Sequence, residues 1–135
     1  MSVVRVVLDT TALLAYSQLR GMAAAELVAM VEEEGGAALV GIPAACFQAA
    51  YPQLQDDERA RLTELATKVE GVTVILPLVG GDTVEVAVLD DRLPGGKQIG
   101  HAIVEAQRRG AHLATYAASQ ALQELPPDSV LDLAE

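Results

Sequence analysis

The chain has 135 residues, a length that fits one domain and is sufficient to bury a substantial core. Hydrophobic residues make up 51% of the sequence, yet no apolar run approaches the ~20 residues of a membrane helix, so we expect a soluble, cytoplasmic protein without a membrane-spanning or secretory segment. The formal net charge is −10, from 19 acidic and 9 basic residues, which opposes general binding to nucleic-acid backbones.

Short apolar, β-branched segments alternate with amphipathic segments along the chain, a rhythm typical of α/β folds. Strands of this kind are apolar throughout when helices cover both faces of a parallel sheet. We therefore predict a single domain over residues 1–135, a three-layer α/β/α sandwich around a parallel sheet of about five strands. The predicted strands are Val3 to Leu8, Ala37 to Val40, Val72 to Leu76, His112 to Thr115 and Ser129 to Leu133.

Apolar residues three and four positions apart predict buried helical faces between these strands. The faces comprise Leu27, Met30 and Val31; Phe47, Ala50, Tyr51 and Leu54; Leu62, Leu65, Ala66 and Val69; and Ile99, Ala102, Ile103 and Ala106. Pro43 fits the first turn of a helix, and Pro52 should kink or end it. Asp56 and Asp82 are predicted N-caps. Two helices, over 82–91 and 98–109, are expected to run consecutively, joined by the turn RLPGGK.

The first predicted strand leads directly into Asp9, Thr10 and Thr11. The carboxyl ends of parallel strands are where open α/β folds bind ligands, so Asp9 is the leading candidate for a functional residue. Two interpretations are open. Asp9 caps the following helix by accepting hydrogen bonds from its first amide groups, or it binds a metal ion.

Three segments together, VVLDTTALLAY, VGIPAACFQAAY and IGHAIVEAQRRGAHLATYA, resemble successive signatures of the PIN domain family. The resemblance covers essentially the whole chain, in order. It implies a compact α/β metal-dependent nuclease, in which three or four acidic side chains hold Mg²⁺ or Mn²⁺ at one edge of a parallel sheet. Many members are ribonuclease toxins of bacterial toxin-antitoxin pairs, so it also implies RNA as a substrate and an antitoxin-like protein partner.

Of the acidic positions that the resemblance implies, this chain retains only Asp9. Divalent cations prefer several hard oxygen ligands, so the remnant site of Asp9, Gln48 and Thr115 is expected to hold Mg²⁺ or Mn²⁺ weakly. The other positions carry Gln48 in place of a glutamate, Lys97, Gln98 or Ile99 in place of an aspartate, and Ala117 in place of the acid beyond the shared Thr115.

Other titratable residues have structural interpretations. Glu105 lies too far along its helix to reach Asp9 and is predicted to form a surface ion pair with Arg108 or Arg109. Asp82, Asp90 and Asp91 precede the RLPGGK loop and could bend inward towards the site, although Asp82 fits the role of an N-cap better. The histidine His101 is interpreted as a packing or hydrogen-bonding residue, His112 has no visible partner, and Cys46 is interpreted as a buried structural thiol.

The leading hypothesis is a PIN-like domain with a degenerate nuclease site, retained for a regulatory or protein-binding role. One alternative is an active Mg²⁺- or Mn²⁺-dependent ribonuclease of the toxin-antitoxin type, which uses Asp9 with other acids or with acids from a second subunit. The other is a module that binds a nucleotide or another phosphate ligand at the helix starts around Thr10 and Gln98. The resemblance to PIN domains implies a homodimer, for which the apolar helices, including the alanine-rich segment 22–31, offer a face.

Overall fold

A computed structural model describes residues 3–67 and 71–134 of the chain. Five strands form its central sheet: β1 (Val3–Leu8), β2 (Ala38–Pro43), β3 (Thr73–Leu76), β4 (His112–Thr115) and β5 (Val130–Asp132). Their order across the sheet is β3-β2-β1-β4-β5, and each neighbouring pair is parallel. The parallel sheet predicted from the apolar segments is therefore confirmed.

Helices flank the sheet, and the fold is an α/β/α sandwich of the predicted class. In the described ranges the α-helices are α1 (Thr10–Ser17), α2 (Ala23–Glu33), α3 (Ala44–Ala50), α4 (Asp56–Thr67), α5 (Thr83–Arg92), α6 (Gly100–Arg109) and α7 (Ala118–Ala121). Short 3-10 turns lie at 51–53, 80–82, 94–96 and 127–129. None of the helices described here has the length and apolar character needed to cross a membrane.

β1 is the central strand and pairs on both sides. Val7 lies opposite Gly41 of β2 and Leu113 of β4, and its side chain is fully buried. The glycine at position 41 is required by close packing, because a Cβ there would lie 2.7 Å from Leu76 Cδ1 and 3.0 Å from Val4 Cγ1. This tight arrangement fixes the middle of the sheet, from which the candidate site projects.

The predicted strands agree with the structure most closely at β1 and β4, whose bounds are those expected from the sequence. β2 continues beyond the predicted end at Val40, because its pairing with β3 extends to Pro43 opposite Leu76. Pro43 therefore ends a strand and occupies the cap position of α3, one residue before the predicted helical turn. β3 begins one residue later than predicted, and β5 is shorter at both ends.

The end of α3 agrees with the prediction, whereas the two predicted N-caps, Asp56 and Asp82, do not cap their helices. α3 ends at Ala50, before Pro52 as predicted. Asp56 is the first residue of α4 rather than its N-cap, and the backbone N–H of the preceding Gln55 donates to Glu58 Oε1 at 2.8 Å. Asp82 precedes α5 as expected, but its side chain makes no capping hydrogen bond.

The consecutive helices before β4 are confirmed with shifted bounds. α5 covers 83–92 instead of 82–91, and α6 covers 100–109 instead of 98–109. α6 begins later because Gln98 has a left-handed backbone with φ of 56° and cannot continue a right-handed helix. The amide N–H of Gly100 is bound by Asp90 Oδ1 at 2.7 Å, which satisfies a donor at the new helix start.

The predicted buried faces are confirmed for α4 at Leu62, Leu65 and Ala66 and for α6. Val69 lies outside the described residues. Met30 was expected in the buried face of α2 but is 63% exposed, because the helix buries Ala24, Val28 and Val31 instead. Tyr51 is also largely exposed, since it lies in the short turn that follows α3.

Glu105 is buried rather than on the surface, which corrects the sequence prediction. Its side chain is 1% exposed, because α6 packs against three strands of the sheet and against α3 and α5. The predicted ion pairs are present: Oε1 lies 3.4 Å from Arg108 Nη1, and Oε2 lies 3.7 Å from Arg109 Nε. Arg108 also pairs with Asp82, which explains why that carboxylate does not cap α5.

Candidate binding cleft at the carboxyl edge of the sheet

Asp9 and Thr115 lie at the same edge of the sheet, because β1 and β4 are parallel neighbours. Leu8, the last residue of β1, pairs with Ala114 of β4. Asp9 follows Leu8 and Thr115 follows Ala114, so the two residues lie side by side at the ends of these strands. The backbone N–H of Asp9 donates to the carbonyl of Ala114 at 3.4 Å. This edge is the usual position of ligand sites in open α/β folds.

Asp9 is the N-cap of α1, as one of its two interpretations predicted. Its Oδ1 atom accepts hydrogen bonds from the Ala12 backbone N–H at 2.9 Å and from the Thr11 hydroxyl at 2.6 Å. The side chain is fully buried, and the second oxygen, Oδ2, has no hydrogen-bond partner among the described residues. Half of the carboxylate therefore caps the helix, and the other half is buried without compensation.

Burial governs the charge of Asp9. Removal of a carboxylate from water disfavours its ionised form and raises the pKa of Asp9 above the ordinary value of 3.8, although hydrogen bonds from Thr11 and Ala12 act in the opposite direction. Asp9 therefore takes up a proton more readily than an exposed aspartate when no cation lies beside it.

The hydroxyls of Thr11 and Thr115 connect α1 to the segment after β4. Their Oγ1 atoms lie 3.3 Å apart. The backbone N–H of Tyr116 donates to Thr11 Oγ1 at 2.8 Å, and that of Ala117 donates to Thr115 Oγ1 at 2.8 Å. Thr115, a residue of the predicted remnant site, thus holds the chain at the sheet edge and has its hydroxyl occupied by protein groups.

A second connection joins the start of α1 to the loop before α6. Thr10 Oγ1 donates to the carbonyl oxygen of Gln98 at 2.7 Å, and the Cys46 thiol donates to the same oxygen at 3.8 Å. Burial raises the pKa of Cys46 to about 12, so the thiolate is strongly disfavoured. The interpretation of Cys46 as a buried structural thiol is confirmed.

No hydrogen bond joins the other positions of the predicted remnant site to Asp9 within the described residues. Gln48 is exposed on α3, and no hydrogen bond joins it to Asp9 or Thr115 in the described residues. Of the three residues considered for the lost aspartate, Lys97 and Gln98 are exposed and Ile99 is in the core. Asp90 is directed to the Gly100 amide, Asp91 is exposed, and Ala117 is buried.

A divalent metal ion does not fit this arrangement. Mg²⁺ and Mn²⁺ require several oxygen ligands around one point. Within residues 3–67 and 71–134, no three His, Cys, Asp or Glu side chains are placed to share an ion. Asp9 offers one unpartnered oxygen, but its side chain is buried. The described residues place no second and third ligand of these types beside it.

A cleft of about 320 Å³ lies along α1 at this edge. Thr10, Thr11, Leu14 and Ala15 of α1 form one wall. The other residues that line the cleft are Arg20, Gln53, Gly95, Gly96, Lys97 and Tyr116. These residues include two cations and no carboxylate, so the charge of the cleft is opposite to that of the whole chain.

Arg20 and Lys97 differ from most cations of the described part of the chain. Neither forms an ion pair there, and they are brought to one cleft from different loops. Arg59, in contrast, lies over the ring of Tyr51 at 4.8 Å. The cations that pair with carboxylates are Arg5, Arg61, Arg92, Arg108 and Arg109.

Arg20 and Gln53 lie outside the three segments that resemble the PIN domain family, and Tyr116 lies at the end of the third without an assigned role. Arg20 follows α1, Gln53 follows α3 and Tyr116 follows β4, so only the fold brings them to one cleft. One signal is available from the sequence: Tyr116 comes directly after a predicted strand end, where ligand-binding residues concentrate. Arg20 and Gln53 carry no comparable signal.

His101 lies in the buried interior of α6 and makes a structural hydrogen bond, as predicted. Its Nδ1 atom accepts from the backbone N–H of Ala45 at 3.2 Å, which assigns the ring proton to Nε2 in the neutral form. Burial lowers the pKa of His101, and the nearby Glu105 carboxylate partly offsets this effect. The bond fastens α3 to α6. His112 is exposed at the start of β4.

No protein-family model matches the sequence, and no curated protein matches it. The resemblance to the PIN domain family therefore remains a prediction.

Proposed function

We propose that this protein is a non-catalytic binding module on a PIN-like scaffold with a degenerate nuclease site, and that its cleft along α1 binds a small anionic ligand. The observation that carries this proposal is that Arg20 and Lys97, two cations without an ion pair in the described residues, line one cleft at the carboxyl edge of the sheet. Ligand binding there would serve the regulatory role predicted from the sequence.

The charge distribution supports an anion as the ligand. A net charge of −10 repels anions from most of the surface, so two cations that are not neutralised make the cleft the favourable place for one. Arginine and lysine form strong charge-assisted hydrogen bonds to phosphate or carboxylate oxygens. Gly96 leaves open space beside Lys97, since no heavy atom lies within 4 Å of the position of a Cβ there.

The same residues weigh against the alternative of an active metal-dependent ribonuclease. Such an enzyme needs an ion that activates water and offsets charge on the leaving oxygen. Two cations line the cleft at this edge, and no group of three His, Cys, Asp or Glu side chains is placed to hold an ion within the described residues. RNA would be a substrate only if other acids completed the site.

Calorimetric titration with inorganic phosphate and pyrophosphate tests the proposal. The wild-type protein is expected to bind pyrophosphate, and the double variant Arg20→Gln/Lys97→Gln is expected to bind it at least about tenfold more weakly, because two charge-assisted contacts are lost. Arg59→Gln is the matched control, since it removes a cation that lies outside the cleft.

Parallel titrations with Mn²⁺ and Mg²⁺ distinguish the nuclease alternative. We expect weak ion binding that is unchanged in Asp9→Asn, and no cleavage of RNA by either protein. Tight ion binding and RNA cleavage that are both lost in Asp9→Asn would contradict the proposal and establish the ribonuclease. Equal binding of pyrophosphate by the wild type and the double variant would also contradict it.

We further propose that the protein is cytoplasmic and forms a homodimer through α2. Met22 and Met30, on this alanine-rich segment, are 65% and 63% exposed, although methionine is usually buried. Exposed apolar side chains at one helix favour association. An antitoxin-like protein partner, implied by the PIN resemblance, is the alternative occupant of this surface.

A further inference from the structure

Tyr116 supplies an aromatic ring to a cleft in a chain that has few such rings. The sequence contains three tyrosines, one phenylalanine and no tryptophan. Tyr116 lines the cleft, and its backbone N–H is fixed to the Thr11 hydroxyl at 2.8 Å. Its own hydroxyl lies next to Gly21, where a Cβ would be 4.0 Å away. The backbone of Tyr116 is therefore fixed at the wall of the cleft.

Gln53 adds a polar group of a different kind. Its Nε2 atom donates to the carbonyl of Ala49 at 3.0 Å, which fixes the orientation of the amide. The amide oxygen makes no hydrogen bond within the described residues and remains an acceptor in the cleft wall. The cleft thus combines positive charge, an aromatic face and an oriented acceptor.

We infer that the anionic ligand is a single nucleotide, a nucleoside mono- or diphosphate. This inference rests on the proposed anion site. Arg20 and Lys97 bind the phosphate, the ring of Tyr116 packs against the base, and the Gln53 oxygen accepts a hydrogen bond from an amino group of the base. A simple anion such as inorganic phosphate would use only the first of these three features.

Size and charge favour one nucleotide over a nucleic-acid chain. The cleft volume of about 320 Å³ is near the lower end of the range of about 300–1,000 Å³ for small-molecule sites. Additional phosphates of a longer chain would extend over a protein surface whose net charge is −10. Arg20 and Lys97 are the cations that line the cleft, so each phosphate that extends beyond it meets a surface of net negative charge.

Calorimetry with the full chain tests the base contact. The ligands are ribose 5-phosphate and the four common nucleoside monophosphates. The wild type is expected to bind at least one nucleotide about tenfold more tightly than ribose 5-phosphate, because stacking of a base on an aromatic ring contributes on that scale. Tyr116→Leu should remove this preference and retain the affinity for ribose 5-phosphate, whereas Tyr116→Phe should keep the preference.

Tyr51→Leu is the matched control, since that ring packs against Phe47 outside the cleft. Equal affinity of the wild type for ribose 5-phosphate and every nucleotide would overturn the nucleotide inference and leave the anion site in place. Failure of pyrophosphate and all phosphate esters to bind would overturn both. Tighter binding of an RNA of about eight nucleotides than of any mononucleotide would overturn the single-nucleotide inference.

Discussion

Asp9 combines a stabilising cap with an electrostatic cost. Its Oδ1 atom satisfies the Ala12 amide at the start of α1, whereas Oδ2 is buried without a hydrogen-bond partner among the described residues. The sequence made both a cap and a metal ligand plausible for this residue, since carboxylate oxygens serve either role. The contacts establish the cap, and burial makes the charged form expensive.

Replacement of Asp9 by Asn is expected to change how stability depends on pH. The pKa of Asp9 is raised in the folded protein, so the folded state binds more protons than the unfolded state above pH 3.8. The contribution of Asp9 to the free energy of unfolding is therefore greatest below pH 3.8 and falls as pH rises through the raised pKa. The asparagine side chain of the Asp9→Asn variant would keep an oxygen acceptor without this titration.

Urea unfolding between about pH 4 and pH 8 measures the effect. Relative to Asp9→Asn, the wild type should lose stability as pH rises. Asp56→Asn controls for the change in net charge, because it removes an exposed carboxylate from the first turn of α4. A constant difference between wild type and Asp9→Asn across this range would contradict the prediction.

At the scale of elements, the start of α6 is set by a contact with α5. Asp90 accepts a hydrogen bond from the Gly100 amide, and α5 lies so close that glycine alone fits there. A Cβ at position 100 would lie 2.7 Å from Asp90 Oδ1 and 2.8 Å from the carbonyl oxygen of Val86. The loop that carries Lys97 ends at this contact, so the helix start also fixes one wall of the cleft.

Gly100→Ala is expected to lower the free energy of unfolding by about 1–3 kcal/mol, the usual cost of excess volume in a packed interface. Urea unfolding at neutral pH measures the change. Gly81→Ala is the control, because no heavy atom lies within 4 Å of a Cβ at that position, and its effect should stay within about 0.5 kcal/mol. Equal stability of the two variants would show that the Asp90 contact can yield without cost.

At the scale of the whole molecule, charge is distributed unevenly. Most cations of the described residues are neutralised by neighbouring carboxylates, and the two that line the cleft are not. The excess of acidic residues keeps other anions away from the remaining surface. Selectivity for a small ligand therefore depends on the whole distribution as well as on Arg20 and Lys97.

The proposed homodimer is also a property of the whole molecule. Light scattering is expected to give twice the mass of one chain for the wild type and a lower mass for Met30→Glu, because a charge within an apolar interface opposes its burial. Val84→Glu introduces the same charge at a 73% exposed residue of α5 and should leave the mass unchanged. A wild type that stays monomeric at high concentration would contradict the proposal.

The local pattern of the sequence determined the order and type of the main elements. β1 and β4 have their predicted bounds because their short segments are mostly apolar, a pattern that specifies a strand largely covered by helices. The role of Asp9 as a cap and the end of α3 before Pro52 were also predictable, since each depends on neighbours a few residues away.

Tertiary structure alone decided the burial of Glu105 and the composition of the cleft. Glu105 is buried because the sheet, α3 and α5 all pack around α6. The spacing of apolar residues along α6 does not predict that so many elements surround it. Arg20, Lys97 and Tyr116 come from separate connections and meet only when the strands are placed in the order β3-β2-β1-β4-β5. Short-range pattern fixes local conformation, whereas a site built from distant loops depends on contacts that form only in the complete fold.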